Sequence, residues 1–263
     1  MKKLMTNVWI WIVLLFMYAP ILVLAVYSFT DCSMIGTTMH ASIGNYKTLF
    51  TTPELAGMIV GTITLAIGVA IISTLLGTMG AIGSFYSRRR VRGGIELINQ
   101  IPVVNADVVT GFSVCILMIA IFHISKDTYI PLIVGQTALC VPFVYLSVMP
   151  RLKGMDNQLY EAALDLGCTS KQALLKVIIP QIIPGILSGF MTAITLSLDD
   201  YFIASYTKPA TFDTISTYVV NATRGSQTDI KTALWALSTL IFVIVVAFVV
   251  IKNIMANRGE QNK

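Results

Sequence analysis

Long apolar runs without a charged residue alternate with short polar segments along this chain. A helix needs about 20 residues, at about 1.5 Å each, to cross the roughly 30 Å hydrocarbon core of a membrane. Runs that reach or approach this length cover 4–30, 55–87, 108–125, 128–150, 177–198 and 232–251. The pattern predicts six transmembrane helices, approximately at 8–28, 57–86, 101–122, 129–149, 182–203 and 232–251.

The third predicted helix needs separate treatment because its charge-free run, 108–125, is short. We expect this helix to begin near Ile101 and to take Asp107 into the membrane. A carboxylate in a span costs roughly 2.5–3.5 kcal/mol on insertion scales, so such a group normally faces protein or water. Asp107 is therefore a candidate for function. The equally weighted alternative is structural: it accepts hydrogen bonds from a neighbouring helix or pairs with a basic residue near the cytoplasmic face.

Composition supports a membrane protein. The chain is 56% apolar and 12% charged, with a mean hydropathy of +0.78, whereas soluble domains carry roughly 25% charged residues. Because lipid cannot satisfy backbone hydrogen bonds, spanning segments are expected to be helical. We predict an all-α fold in which residues 1–263 form one transmembrane domain. The first run is too long for a signal-peptide core of about 7–15 residues, so it is assigned to helix 1.

Lysine and arginine indicate the orientation, since they favour cytoplasmic loops. With the N-terminus inside, thirteen of the 18 basic residues fall on cytoplasmic segments. These are Lys2, Lys3, Arg88, Arg89, Arg90, Arg92, Arg151, Lys153, Lys171, Lys176, Lys252, Arg258 and Lys263. The distribution predicts a multi-pass protein with both termini in the cytoplasm. A nucleic-acid footprint is the weaker interpretation of the net charge of +5.

The polar loop 151–181, between predicted helices 4 and 5, has the clearest local pattern. Asp156 or Asn157 can cap a short helix, and Gly167 supplies a residue suited to ending it. Thr169 and Gln172 have the spacing of a capping box for the next helix. Pro180 and Pro184 follow and are expected to bend or restart that helix at the membrane surface.

The first helix of this loop is predicted to be amphipathic. Its apolar stripe contains residues at i, i+3, i+4 and i+7, and its other face is acidic, with Glu161 and Asp165 one turn apart. The stripe consists of Leu159, Ala162, Ala163 and Leu166. A hairpin lying on lipid would favour lysine and arginine on the polar face. The acidic face therefore favours docking to a protein over lipid binding.

The spacing of this loop resembles a known family pattern. Glu161-Ala162-Ala163, three residues, Gly167, nine residues and Val177-Ile178-Ile179-Pro180 are similar to the EAA loop of permease subunits of ATP-binding-cassette importers. That pattern ends in Ile-x-Leu-Pro, and this chain has Val177 and Ile179 instead. The resemblance implies the type I layout of six helices. It also implies a coupling helix that enters a cleft of a separate ATPase subunit.

The residues that the resemblance assigns to ATPase coupling are Glu161, Ala162, Ala163, Asp165, Gly167 and Pro180. Two shorter segments resemble the C-type spermidine/putrescine permeases within this family: Leu198-Asp199-Asp200-Tyr201, and the run from Arg151 to Asp156. The resemblance implies a polyamine importer in a bacterial cytoplasmic membrane. The implied partners are two ATP-binding cassette subunits, a second and different permease subunit, and an extracytoplasmic polyamine-binding protein.

Polyamines are extended cations, so carboxylates and aromatic faces are expected along their path. Asp107, Asp199 and Asp200 are the acidic candidates, with Tyr201 and Trp235 as weaker cation–π candidates. For Asp199 and Asp200 the alternative is an ordinary solvated position at the outer end of helix 5.

Other patterns limit the function. The chain has no G-x-x-x-x-G-K-[ST] loop and no recognisable catalytic triad, so we expect a non-catalytic subunit whose partners use ATP. We expect no cofactor bound to this chain, and its four cysteines form no disulfide or metal framework.

The alternatives to a polyamine permease are a permease for another small solute, a secondary transporter or channel, and a membrane anchor. Arg88 to Arg92 are expected to hold helix 2 at the membrane surface rather than to contact the ATPase.

Overall fold

The structure is a computed structural model that describes residues 2–30, 40–156, 158–224, 235–240, 242–243, 246–247 and 250. Within these residues the chain is helical, as predicted, and an isolated bridge between Thr30 and Ala41 is its sole β-type pairing. The described part of the last predicted span, 232–251, is helical throughout.

Eleven α-helices have both ends within the described residues. They are α1 (Lys2–Ser28), α2 (Gly44–Thr51), α3 (Pro53–Tyr86), α4 (Arg89–Val104), α5 (Asp107–Ile116), α6 (Ile130–Lys153), α7 (Gln158–Asp165), α8 (Ser170–Ala173), α9 (Ile179–Asp199), α10 (Phe202–Thr207) and α11 (Ile215–Arg224). Two π-helical turns complete the set, at Leu117–Ile121 after α5 and at Leu174–Ile178 before α9.

Among the residues that the structure describes, four helical stretches are long and apolar enough to cross a membrane. They are Trp9–Ser28, Leu55–Tyr86, Ile130–Lys153 and Ser170–Asp199. A fifth crossing is possible if α4 and α5 together form one broken span. Six spans were predicted, and nine of the 20 residues of the sixth, 232–251, lie outside the described part of the chain.

The prediction of one continuous helix over 101–122 is wrong. Ile101 lies in the last turns of α4, and the chain then bends by 106° before α5 begins at Asp107. Asn105 and Ala106 have extended backbone at the bend, with ψ of 146° and 134°. Asp107 therefore occupies the first turn of α5, where a carboxylate interacts favourably with the helix dipole. Hydropathy identified an apolar segment here but carried no information about the bend.

The residues divide into two compact units, one formed by Met1–Ile59 with Tyr218–Ala247 and the other by Val60–Thr217 with Phe248–Lys263.

In the first unit, hydrogen bonds connect the end of α1 to α2. Asn45 is buried and its side-chain amide donates to the carbonyl oxygens of Ser28 and Thr30, at 3.2 and 2.8 Å. The Ser28 hydroxyl also donates to the Tyr46 hydroxyl at 2.6 Å.

The core of the second unit is the packing of α6 against α9. Buried Val144, Val148 and Leu152 on α6 meet Ile182 and Ala193 on α9 in one apolar cluster. Small residues allow helices to approach closely in membranes. At Gly189 of α9, an added Cβ would lie 3.2 Å from the Cα of Val144, so the two backbones are nearly in contact.

Glycines along α3 differ in how closely neighbouring residues approach them. A Cβ at Gly77 would lie 2.7 Å from the Cβ of Val144, and one at Gly61 would lie 2.8 Å from the Phe212 ring. At Gly57, Gly68 and Gly80 it would meet no atom within 4 Å. Gly77 is therefore the point at which α3 fits closely against α6.

We predict that Gly77→Ala destabilises the protein by about 1–3 kcal/mol, the usual cost of overpacking a filled interior. The new methyl group would force Val144 or the α6 backbone to move. The measurement is the midpoint of thermal unfolding in detergent, with Gly80→Ala as the matched control on the same helix. An equal midpoint in both variants would contradict close packing at Gly77.

Candidate functional site

Asp200 is a buried carboxylate at the junction of α9 and α10. The residue is 7% exposed. It directly follows α9 and has an extended backbone. Oδ1 accepts a hydrogen bond from the backbone N–H of Ile203 at 3.0 Å, and Oδ2 accepts one from Ala204 at 3.0 Å. Asp200 therefore caps the start of α10, because its oxygens satisfy N–H groups that the helix leaves without partners.

Gln136 of α6 completes this junction. Its side chain is fully buried, its Nε2 donates to Asp200 Oδ2 at 3.1 Å, and its Oε1 accepts from the Ser197 hydroxyl of α9 at 2.8 Å. We call Asp200, Gln136 and Ser197 the polar junction. It links α6, α9 and α10 in the buried interior, where a polar group without a partner is costly. Sequence reasoning missed Gln136 and Ser197, although a glutamine inside a predicted span was an available signal.

Asp107 lies near the polar junction. It is exposed at the start of α5 and is close enough to Asp200 for the two carboxylates to interact electrostatically. Close packing of α5 on α10 accounts for this placement, since a Cβ at Gly111 would lie 2.9 Å from the Cα of Ile203. The structure thus brings together two of the three predicted acidic residues, which are 93 positions apart in the sequence.

Asp199, the third acidic candidate, is the last residue of α9 and is exposed. It forms no hydrogen bond or ion pair with any residue in the described ranges. The two neighbouring aspartates therefore differ in their surroundings. Hydrogen bonds fix the Asp200 side chain, whereas the Asp199 side chain is available to solvent or to a ligand.

The two aromatic candidates lie in different units. Tyr201 is half-buried, and its ring meets Phe202 edge-on with centroids 5.3 Å apart. Trp235 belongs to the first unit, where its ring meets Tyr27 edge-on at 5.6 Å. Their cation–π function stays a prediction.

The segment 156–180 forms the predicted helix, turn and helix, and we call it the knuckle. Asp156 Oδ1 accepts from the backbone N–H of Gln158 at 2.9 Å, while Asn157, the other capping candidate, lies outside the described residues. Gly167 has φ of +85°, the left-handed conformation that ends helices. The capping box of Thr169 and Gln172 is confirmed, with both of its hydrogen bonds present.

The buried face of α7 differs from the predicted stripe. Ala163 alone among the four stripe residues is buried, whereas Leu159 is 40% and Leu166 86% exposed, and Ala162 is also exposed. Half-buried Tyr160 and Leu164 join Ala163 on the inner side instead. Most of the predicted apolar stripe therefore faces outward, beside the exposed carboxylates of Glu161 and Asp165.

Aromatic rings connect α7 to the end of α3. The ring centroids of Tyr160 on α7 and Tyr86 on α3 are 5.2 Å apart, and Tyr86 in turn meets Phe85 edge-on at 5.2 Å. No local sequence pattern indicates that these rings pair, because they are 74 positions apart. A displacement of α7 would therefore reach α3 by direct contact.

Helical structure continues past Pro180, where a bend or a restart was predicted. Helix α8, the π-helical turn at Leu174–Ile178 and α9 follow one another without a break, and Pro180 lies in the first turn of α9. Proline cannot donate to the carbonyl four residues before it. The chain nevertheless continues through Pro180 and Pro184 as one helical span, Ser170–Asp199.

No three His, Cys, Asp or Glu side chains of the described residues are grouped to hold a metal ion. Cys115, Cys140 and Cys168 are free thiols, and Cys32 lies outside the described residues.

A family model described as the binding-protein-dependent transport system inner membrane component matches residues 73–258. The chain therefore belongs to this family of importer permeases, and the resemblance drawn from the knuckle sequence is confirmed. It is a multi-pass protein of the inner membrane. Permease components of this family are not catalytic themselves, since a partner subunit of the transporter hydrolyses ATP.

Two similar proteins have names that specify a cargo. The chain is 30% identical to a putrescine transport system permease protein, PotI, of Escherichia coli strain K12, over 86% of this chain and 81% of that protein. It is 26% identical to a spermidine/putrescine transport system permease protein, PotC, of Haemophilus influenzae, over 97% of both chains.

Solved structures share the fold. A bacterial alginate ABC transporter, solved in complex with an alginate pentasaccharide-bound periplasmic protein, matches with a TM-score of 0.71 and 18% identity, over 98% of this chain and 93% of that one. An amino acid ABC transporter with histidines matches with a TM-score of 0.58 and 16% identity, over 82% and 99%. These likenesses concern architecture.

We predict that Asp200→Ala lowers the free energy of unfolding by about 1–3 kcal/mol, because α10 loses its cap and the Gln136 amide loses a buried acceptor. Asp199→Ala, the adjacent control, should change it by less than about 0.5 kcal/mol, as surface substitutions do. Thermal unfolding of the two variants in detergent makes the comparison. Equal stability of both variants would show that the polar junction does not support the fold.

Proposed function

We propose that this chain is a transmembrane subunit of an ATP-driven polyamine importer for spermidine or putrescine, and that it forms half of the translocation pathway. A second, different permease subunit would form the other half. Two ATP-binding cassette subunits and an extracytoplasmic polyamine-binding protein would complete the complex. The named functions of the two relatives support this cargo, as do the acidic residues near the polar junction.

The observation that carries the cargo assignment is the convergence of Asp107 and Asp200. Neither carboxylate forms an ion pair with a lysine or arginine of the described residues. The hydrogen bonds that Asp200 accepts come from neutral donors, namely two backbone N–H groups and an amide. Negative charge on these carboxylates is therefore not offset by an ion pair, and it would attract an ammonium group and disfavour an anion.

The three aspartates would act differently in this pathway. Asp107 and Asp199 are exposed, so each can approach a passing ammonium group directly. Asp200 is committed to capping α10 and would contribute mainly by its charge and by fixing the local backbone. Tyr201 and Trp235 are the aromatic candidates for additional cation–π contacts.

The knuckle is the proposed coupling element. Leu159 and Leu166 present exposed apolar surface with no covering group in the described chain, and Glu161 and Asp165 stand beside them. A partner cleft with an apolar floor and a basic rim would match this surface. Glu161, Ala162, Ala163, Asp165, Gly167 and Pro180 are the residues assigned to ATPase coupling.

The proposed cycle uses the connections of the knuckle. ATP-driven closure of the ATPase subunits would push α7, and the Tyr160–Tyr86 contact would pass the displacement to α3. Because α8 and α9 continue directly from the knuckle, the same push would reach the polar junction at the far end of α9. The pathway would then change from inward-facing to outward-facing. In the proposed orientation of the chain in the membrane, both chain termini and the knuckle lie in the cytoplasm.

We predict that Asp107→Asn and Asp199→Asn each reduce spermidine uptake efficiency by about tenfold, the size expected for losing a hydrogen bond to a charged group. The measurement is radiolabelled spermidine uptake by the complex reconstituted in liposomes. Asp127→Asn is the matched control, since Asp127 is an exposed aspartate in the loop before α6. Unchanged uptake in both test variants would contradict the cargo assignment and leave the importer assignment standing.

We predict that Gly167→Val uncouples ATP hydrolysis from uptake. A side chain in the left-handed conformation costs roughly 1–2 kcal/mol, and a β-branched one is especially restricted, so the end of α7 would rearrange. A Cβ at Gly167 meets nothing within 4 Å, so the expected effect comes from the backbone and not from a clash. The measurement is the ratio of ATP hydrolysed to spermidine taken up.

Gly94→Val is the matched control for this experiment. Gly94 is exposed within α4, has no positive φ, and a Cβ there also meets nothing within 4 Å. Membrane insertion should be normal in both variants. Wild-type coupling in Gly167→Val would count against the knuckle as the coupling element.

A further inference from the structure

An open pocket of about 560 Å³ lies where α3 ends and α4 begins. It is lined by Ser87, Arg89, Arg92, Gly93, Glu96 and Lys153. Three of the six lining residues are cationic and one is acidic. None of them belongs to the polar junction or the knuckle.

The pocket has an excess of positive charge, and two of its three cationic side chains are positioned by ion pairs with Glu96. Glu96 Oε1 accepts from Arg92 Nε at 3.3 Å and from Lys153 Nζ at 3.4 Å. The Arg92 guanidinium also lies over the Phe85 ring, 5.8 Å from its centroid. One carboxylate thus positions two cations but can balance the charge of only one of them.

Arg89 is the third cation and is exposed. It forms no ion pair or hydrogen bond with any side chain in the described ranges. Together with the Glu96 cluster, it leaves the pocket with two uncompensated positive charges. Such a pocket has the electrostatics of an anion site.

The start of α4 adds to this preference. Arg88 is the N-cap and makes no capping hydrogen bond, and the first turn contains no acidic residue. Arginines therefore gather at the positive end of the helix dipole, where acidic groups or bound anions are favoured. A bound anion would relieve this repulsion and would also accept from N–H groups of the first turn.

The position of the pocket indicates which anion is available. Ser87 directly follows Tyr86, the last residue of the apolar span Leu55–Tyr86, so the pocket lies at a membrane surface. On α4, Leu97, Ile98 and Ile101 are each more than 60% exposed, as expected of side chains that contact lipid. Phosphate groups of lipids are concentrated at this depth, and basic pockets between transmembrane helices bind them.

We propose that this pocket binds the phosphate group of an anionic phospholipid. Arg89, Arg92 and Lys153 supply the charge, and Glu96 holds Arg92 and Lys153 in position. Arginine suits this function because its planar guanidinium can donate two parallel hydrogen bonds to phosphate oxygens. The site does not depend on the identity of the cargo.

The test is a titration of the full chain, purified and delipidated in a neutral detergent, with bound lipid counted by native mass spectrometry. The probes are phosphatidylglycerol, zwitterionic phosphatidylcholine and inorganic phosphate. We expect saturable binding of phosphatidylglycerol only, weakened about fivefold by Arg89→Gln, since one basic group near a membrane surface contributes about that factor. Arg90→Gln is the matched control, because Arg90 is an exposed neighbour on α4 that does not line the pocket.

Several outcomes would overturn the proposal. Equal weakening by Arg89→Gln and Arg90→Gln would show a general charge effect without a pocket. Saturable binding of inorganic phosphate, with the same dependence on Arg89 and none for phosphatidylglycerol, would assign the pocket to free phosphate. Unchanged lipid binding in Arg89→Gln, together with loss of co-purifying ATPase, would assign Arg89 to a protein contact. Size-exclusion profiles of both variants establish that each is folded.

Discussion

The close packing of α6 on α9 is the constraint on which the second unit depends. Gly189 brings the backbone of α9 almost against Val144, and Gly185 does the same at the Ser147 carbonyl, where a Cβ would lie 3.1 Å away. In a membrane, such contacts take the place of the hydrophobic effect that drives packing in water. The pair runs antiparallel, with the knuckle joining one end and the polar junction bridging the other.

The polar junction sets the geometry of that far end. A buried carboxylate, an amide and a hydroxyl satisfy one another and two backbone N–H groups, so their arrangement is specific in a way that apolar contacts are not. The bend between α4 and α5 places Asp107 nearby, and Gly111 lets α5 approach α10. Capping, helix packing and negative charge thus meet at one place. This is the physical basis for regarding it as part of a cation pathway.

Local patterns were predictable where local interactions decide the structure. The Asp156 cap, the Gly167 stop and the Thr169–Gln172 box each involve residues within three positions of one another, and all are present. The burial of α7 could not be predicted in this way, because an apolar stripe does not state whether it packs inside the chain or against a partner. Leu166 belongs to that stripe and is 86% exposed.

The sequence alone determined that the chain is helical, that it crosses a membrane several times and that it carries the permease knuckle, because composition, run length and capping are local properties. Only the tertiary structure decided that Asp107 lies near enough to Asp200 to interact electrostatically, that Gln136 links Asp200 to Ser197, and that Tyr160 contacts Tyr86. Gln136 is more than 60 positions from both of its partners, and the other two pairs are separated by more than 70 positions. They depend on helix packing and on the 106° bend after α4, which hydropathy does not encode.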